Sequence, residues 1–400
     1  MKKQWIAFLS RQVLTCAIRL STQRALGFFL TFPEWDKSPK VMNVKSFILL
    51  TVTLLTLTMF AACRPDPKPD PDPTPQFEKK GVFIISEGTF GSGTGSLAFY
   101  DYDDDKLIED VFQTQNNGAF VGNIFQSMAF VNDKGFLVAN NAKKIEVVNQ
   151  RDFTSLGTVL GLQQPRFVAK RNETEAYVSQ WGASGSDGQI NVINTNDYTI
   201  VDSIVIGGGP EQLLVSDSKL YVPNSGGWST DSVVSVYNIS DNTLVKSITV
   251  GGCPTRILKS DDGVIWVSST GCYVANGAIS KIENDEATHI YEFSHGQINA
   301  IDESPDGGML FLIRNQFGAG SGQGVYRFDK STSTFEGTPI IEGAYYGIGV
   351  DKTYKKLYLG LDDGSDDGKV LVYDLDASNM PTFVDTMLVG RFPNGFLFQE

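Results

Sequence analysis

The stretch GTFGSGTGS at residues 88–96 follows directly on the apolar run GVFIIS. A strand that delivers a glycine-rich loop is one way to cradle phosphate on backbone N–H groups. That chemistry also needs a helix after the loop and a Gly-Lys-Ser/Thr to reach the anion. Here SLAFYDY (96–102) alternates like a strand and no such lysine follows, so the loop reads as a turn between strands. Only two histidines occur, His289 and His295, and HExxH, GxSxG and CxxC are all absent. His295 and Glu211 are the chief groups available for hydrolytic chemistry, and His295 reads more simply as a turn residue or a ligand contact. DDGSDDG (362–368) sets Asp363, Ser365 and Asp367 at the oxygen spacing of the first half of a calcium loop, and DYDDDK offers Asp101, Asp103 and Asp105. Neither is followed by the distal bidentate glutamate of such a loop, so solvated turns are expected, with no resident metal or cofactor. Cys253 and Cys272 flank TRILK and VIWVS; if these pair as an antiparallel hairpin the two sulfurs lie nearly opposite each other. In an exported chain that predicts a disulfide. With no catalytic motif, binding is expected rather than catalysis.

The elements that must position these residues are strands. From residue 81 onward, short runs rich in Val, Ile, Tyr and Phe alternate with polar residues and are separated by Gly, Asn, Asp and Ser. Residues 209–252 contain four of them, EQLLVS, KLYVPN, VVSVYN and TLVKSITV, and residues 164–208 and 253–294 repeat the order. Weaker copies begin near Val121, His295 and Ala344, so the repeat recurs every 42 to 49 residues. Four strands in such a period is a β-propeller blade. Six blades are complete. Residues 81–120 supply three further strands, GVFIIS, SLAFYDY and KLIEDVF, and residues 394–400 supply one, NGFLFQE. The prediction is an all-β, seven-bladed propeller over residues 79–400, with four-stranded blades and a seventh blade closed by pairing the two ends of the chain, which removes a free sheet edge.

The preceding residues read as targeting and tether. MNVKSFILLTVTLLTLTMFAAC (42–63) has a basic residue, an uncharged run and two small residues before a cysteine. That is the layout of a secretory signal. The small-small-Cys ending is similar to the lipobox of bacterial lipoproteins, which implies a signal peptide over 42–62 and lipidation at Cys63; a plain membrane-spanning anchor is the alternative. Because Met42 opens a complete signal, residues 1–41 are expected to be an over-called extension. RPDPKPDPDPTP, with proline at nearly every second position, makes residues 63–78 a stiff, extended tether. An outer-membrane, lipid-anchored and surface-exposed location is expected. Residues 1–62 carry 8 Lys/Arg and 2 Asp/Glu, leaving 25 basic against 44 acidic groups in residues 63–400, a net charge of −19. So acidic a body repels phosphate backbones, and nucleic acid is not an expected partner.

In a propeller, the segment leading into each innermost strand and the loop after each second strand share one face. The second-strand loops read SEGTF, ANN, SQW, NSGGW, STGCY, RNQF and LDDG, and five carry an aromatic: Phe90, Trp181, Trp228, Tyr273 and Phe317. The leading segments add Asn123, Arg166, Glu211, Gln212, Arg256, Gln297, Asn299, Tyr345, Tyr346 and Asn394. A ring of aromatics with amides and two arginines suits a large, amphipathic, partly planar ligand. The same aromatics could instead brace neighbouring blades.

The blades, above all LYVPNSGGW…VVSVYNISDNTLVKSITVGG and GVIWVSSTG, resemble the YncE-like, YVTN-type seven-bladed propellers. With the lipobox, the opening GVFIISEGTFGSGTGSLAFYDY and the final FPNGFLFQE, the chain is similar to the BtuG-type surface lipoproteins. That resemblance implies capture of cobalamin or a related corrinoid and its transfer to a TonB-dependent transporter. Propellers also host lactonases and other hydrolases, and serve as scaffolds for protein or glycan, so both remain alternatives.

Overall fold

A computed structural model of the chain describes residues 77–91, 93–272, 276–293, 297–315, 322–364 and 367–399. Their strands form seven antiparallel sheets, six of four strands and one of five. In chain order after the closing blade, the innermost strands are Phe125–Val131, Pro165–Lys170, Leu214–Ser216, Pro254–Lys259, Gln297–Glu303 and Gly347–Asp351. Each sheet then runs outward strand by strand. The closing blade is ordered Pro393–Gln399, Gly81–Ser86, Ser96–Asp101, Lys106–Ile108, so its innermost strand comes from the other end of the chain. Pro393–Gln399 pairs antiparallel with Gly81–Ser86, Gly81 opposite Gln399 and Ile84 opposite Phe396. The seven-bladed propeller and its terminal closure are as the repeat predicted.

Burial explains the changing pattern along each repeat. Blades stack face to face, so second strands are covered on both sides and read as continuous apolar runs. Gly81–Ser86 is buried throughout, and Lys134–Ala139 and Lys219–Asn224 are buried at all but their first residue. Outermost strands such as Ile200–Gly207 are largely exposed. The core is accordingly a ring of interfaces: seven apolar clusters, one between each pair of adjacent blades. At the closure, Tyr358 of the last blade faces Phe396 and Phe398 at ring-centroid distances of 5.8 and 5.5 Å.

Two local departures have physical causes. KLIEDVF does not remain a strand to its end. The strand stops at Ile108, Asp110 takes a left-handed conformation (φ 51°), and Val111–Gln115 forms one short helix. Val111 and Phe112 are both buried among Phe77, Phe83, Phe99 and Phe153. Adjacent residues of a strand point to opposite faces, so a strand could not bury both in one cluster. In the sixth blade the outer strand is split into Thr334–Phe335 and Ile341–Glu342, both paired with Gly324–Asp329. Pro339 lies between the two pieces and can donate no ladder hydrogen bond.

Cys253 and Cys272 form a disulfide with Cα atoms 5.5 Å apart. It ties the start of Pro254–Lys259 to the end of Ile265–Ser269, where Pro254 already pairs with Ser269. Closing a loop of this size stabilises a fold by about 3 kcal/mol. Replacing both cysteines by serine is expected to lower the unfolding free energy by about that amount in denaturant titrations. Thiol titration of the denatured, unreduced protein should find neither sulfur reactive.

Candidate functional site: the loop face and channel mouth

Register places the expected loops together. The end of each second strand lies beside the start of its innermost strand: Ser86 opposite Pro393, Ala139 opposite Phe125, Gln180 opposite Pro165, Asn224 opposite Pro210, Ser269 opposite Pro254, Asn315 opposite Gln297 and Gly360 opposite Gly347. The roots of all seven loops therefore lie at one end of the propeller. Residues on this face divide into an outer groove and a channel mouth.

The outer groove has a volume of about 430 Å³ and is lined by Phe90, Asn140, Asn141, Gln164, Arg166, Trp181 and Trp228. Its shape follows from loop length. The connection over residues 140–143 is the shortest of the seven, so the second blade supplies a low floor between taller walls. Phe90, 75% exposed, stands on one side, and Trp228, 71% exposed, on the other. Trp228 is positioned despite its exposure. It meets Trp181 edge to face at 5.4 Å and 85°, and a Cβ on Gly185 would collide with its ring. The Arg166 guanidinium lies 4.6 Å from the Trp181 ring centroid. Arg166 is itself held by Glu211, through bonds of 3.0 and 3.3 Å, and donates to the Gln126 side chain. Exposed aromatic faces around a fixed cation and amide groups can stack a flat surface and bond its polar rim.

Phe90 stands on the loop at 88–96, and the N–H groups of four of its glycines are already engaged. Gly88 N–H donates to Arg391 O (3.1 Å), Gly91 N–H to Asn123 Oδ1 (3.1 Å), Gly93 N–H to Thr89 O (2.9 Å) and Gly95 N–H to Gly122 O (3.0 Å). Asn123 also donates to Thr89 O (2.9 Å) and Gly93 O, so it braces the loop from within. A phosphate would find no free cradle among these donors.

The channel mouth gathers residues from the innermost strands. Beneath it is a cavity of about 240 Å³ with polar groups from Gln126, Gln212, Arg256 and Asn394 above walls that include Met128, Phe167, Ile257, Ile348, Phe396 and Leu397. Gln212 accepts the Ile257 N–H (3.2 Å), and Asn394 donates to Glu87 Oε1 (2.9 Å) and Gln126 O (3.0 Å). Tyr346 donates its hydroxyl to Glu87 Oε2 at 2.5 Å. Burial and the Glu87 carboxylate raise the Tyr346 phenol above its ordinary value, so it stays a donor. Asp302 lines the same cavity; burial pushes its carboxyl up to about 6, against the Val350 and Glu303 N–H groups that it accepts.

Several expected site residues do other work. Tyr345 is 5% exposed, packed in the interface between the sixth and seventh blades, and donates to Glu342 O at 2.9 Å, so it belongs to the core rather than the mouth. Its neighbour Tyr346, also ahead of the strand Gly347–Asp351, is 42% exposed and reaches Glu87 instead. Gln297 opens its innermost strand opposite Asn315, and Asn299 lies two residues further on. His289 is exposed on an outermost strand, stacked on Tyr291 at 4.9 Å. Asp101 accepts Lys79 (2.8 Å) and the Asp103 and Asp104 N–H groups, Asp105 accepts the Tyr100 hydroxyl, and Asp363 is paired with Lys369. These acids are engaged by the protein's own donors, and no metal-holding group of three or more His, Cys, Asp or Glu occurs among the described residues. Cys63, Tyr273, His295, Phe317 and Ser365 lie outside the described residues.

Sequence reasoning missed Glu87, Gln126, Asn140, Asn141 and Gln164. Gln126 could have been found by alignment, since it stands one residue into its innermost strand as Arg166 does in the next blade.

No curated protein matches the chain. Solved structures are similar in fold at low identity. A periplasmic gluconolactonase of Pseudomonas aeruginosa, PpgL, is 14% identical with a TM-score of 0.58, covering 79% of this chain and 99% of that one. A Bacteroides fragilis protein provisionally assigned as a 6-phosphogluconolactonase is 13% identical with a TM-score of 0.61, covering 82% and 99%. A quinonprotein alcohol dehydrogenase-like protein of Bacteroides thetaiotaomicron is 16% identical with a TM-score of 0.58, covering 81% and 79%. At such identities the likeness is one of propeller fold alone. The family match is to DUF5074, described as a domain of unknown function, and it spans residues 80–399, the whole propeller. This chain belongs to the DUF5074 family, on a seven-bladed propeller whose neighbours in fold include lactonase-like proteins.

Proposed function

We propose that the protein is a lipid-anchored, surface-facing binding protein that captures a large, amphipathic, partly planar ligand in its outer groove and does not transform it. The observation that carries this reading is the set Phe90, Trp181 and Trp228 around the cation of Arg166, with two of the three aromatics largely exposed. Exposed aromatics held in place lose little freedom on binding, which favours stacking on a flat ligand. The lipoprotein-like signal, the tether and the BtuG-type resemblance together favour cobalamin or a related corrinoid, handed on to a TonB-dependent outer-membrane transporter. The acids at the mouth are committed to partners, Glu211 to Arg166 and Glu87 to Tyr346 and Asn394, which suits positioning better than general-base chemistry.

Calorimetric titration of the purified protein with cobalamin is the test. Saturable binding at micromolar concentration or tighter is expected, and no detectable heat at that concentration defeats the corrinoid assignment. Trp228→Ala should weaken binding at least tenfold, as aromatic anchors do, while shifting unfolding by only about 0.5 kcal/mol because the ring is exposed. Trp181→Ala should weaken binding similarly. Binding unchanged in both variants would make these rings a brace rather than a platform.

A further inference from the structure

The channel mouth holds a cation and an acceptor that the protein leaves unused. Arg256 enters from an innermost strand, and its guanidinium lies 4.9 Å from the Phe167 ring centroid, over the cavity wall. Among the described residues it forms no hydrogen bond or ion pair. Glu211, the acid that acts most strongly on it, is taken by the bidentate contact with Arg166 and by Ser225. Enclosure lowers the Arg256 pKa, with Glu211 opposing that effect and Arg166 adding to it, yet a guanidinium remains charged in a protein. On the same cavity, Asn394 is 8% exposed and its Oδ1 has no partner among the described residues. That oxygen cannot be exchanged for the amide nitrogen by a flip, because Nδ2 donates to both Glu87 Oε1 and Gln126 O. Below these groups the walls turn apolar, with Met128, Ile257, Ile348 and Phe396.

We infer that the channel mouth is a second binding site, separate from the outer groove, for a small hydroxy-carboxylate with an apolar tail. The carboxylate accepts a forked pair of hydrogen bonds from Arg256. Its hydroxyl donates to Asn394 Oδ1, and the tail displaces water from the apolar walls. A buried acceptor without a partner carries a desolvation penalty, so a ligand that satisfies it gains on binding. The cavity, about 240 Å³, holds roughly eight water volumes of about 30 Å³ each, enough for a six-carbon acid. This inference does not depend on the corrinoid reading.

The test uses the full-length protein titrated with hexanoate, 2-hydroxyhexanoate and hexan-1-ol, followed by calorimetry. Both acids should bind, 2-hydroxyhexanoate severalfold tighter than hexanoate, and hexan-1-ol at least tenfold more weakly. Arg256→Gln should lose at least tenfold for either acid while retaining the wild-type melting profile. Absence of binding by both acids, or hexan-1-ol binding as tightly as hexanoate, overturns the site without recourse to any variant. Arg256→Gln binding the acids within twofold of wild type also overturns it. Equal affinity for the two acids removes Asn394 from the site.

Discussion

A chain truncated by residues 394–400 is expected to show no cooperative unfolding transition. The missing segment is most of the innermost strand of the closing blade, whose backbone pairs with Gly81–Ser86 from Gly81 to Ser86. Every residue of Gly81–Ser86 is buried, so the truncation would expose an unpaired and largely apolar strand to water. Phe396 and Phe398 would also leave the cluster with Tyr358, Val370 and Val372, the interface that joins the last blade to the first. The position is tightly fitted: a Cβ on Gly349 would meet the Phe396 side chain at 2.7 to 3.0 Å. Asn394 adds hydrogen bonds to Glu87 within the closing blade and to Gln126 O of the second, tying the two blades together. A propeller domain has a total stability of only about 5–15 kcal/mol, and opening the ring removes two of its seven interfaces in part. Circular dichroism melts and limited proteolysis measure the outcome. A sigmoidal transition within about 5 °C of the full chain would show instead that the strand is an ornament on an already closed ring.

Glu303→Gln is the second large effect, at the channel end opposite the loop face. The carboxylate is 3% exposed and accepts four donors: Ser260 Oγ (2.6 Å), the Asp261 N–H (3.1 Å), Lys330 Nζ (2.8 Å) and Lys352 Nζ (2.6 Å). These come from the fifth, sixth and seventh blades, so one side chain pins three. Removing one partner of a buried ion pair costs about 3–5 kcal/mol because the other charge is left uncompensated. Lys330 is 8% exposed but retains Asp262 at 2.8 Å, and Lys352 is 36% exposed and screened, which places the expected loss near about 3 kcal/mol. Denaturant titration measures it. A loss within about 0.5 kcal/mol would mean that the cluster is electrostatically neutral to the fold. The pH dependence has a definite sign. Burial pushes the Glu303 carboxyl up, but the two ammonium groups, Ser260 and the Asp261 amide outweigh it and the net shift is downward from 4.5. A carboxyl with a lowered folded pKa contributes stability that is complete above its unfolded value and fades as pH falls through the folded one. The gap between wild type and Glu303→Gln should therefore be full at pH 7 and close in acid, below about pH 4.5.

Much of the candidate site could be read from the residues alone. Phe90, Arg166, Trp181 and Trp228 follow from aligning seven loops, and the structure brings these four to one groove. Tyr345 could not be sorted from Tyr346 in the same way, because both precede the strand Gly347–Asp351, where no alternation assigns a face and the point at which a strand begins is not visible locally. Glu87 and Gln126 carry no local signal either. Their importance lies in Tyr346, Asn394 and Arg166, which reach them from other blades. The helix at Val111–Gln115 escaped notice because five residues are too few for a 3.6-residue period to register.

What the sequence by itself determined is the repeat: four short strands per period, six full copies and two fragments that only pairing of the chain ends can complete. Repetition makes that information redundant, since each copy restates the same alternation and the same turns. Only the tertiary structure decided which loops meet. Phe90 belongs to the closing blade, Trp181 to the third and Trp228 to the fourth. They border one groove because the four-residue connection at 140–143 leaves the second blade low between them. That Arg256 has no hydrogen bond or ion pair among the described residues was likewise decided in three dimensions, because Glu211 is engaged by Arg166. Strand periodicity is a property of neighbours along the chain, whereas the partners a cation finds depend on every group that folding carries past it.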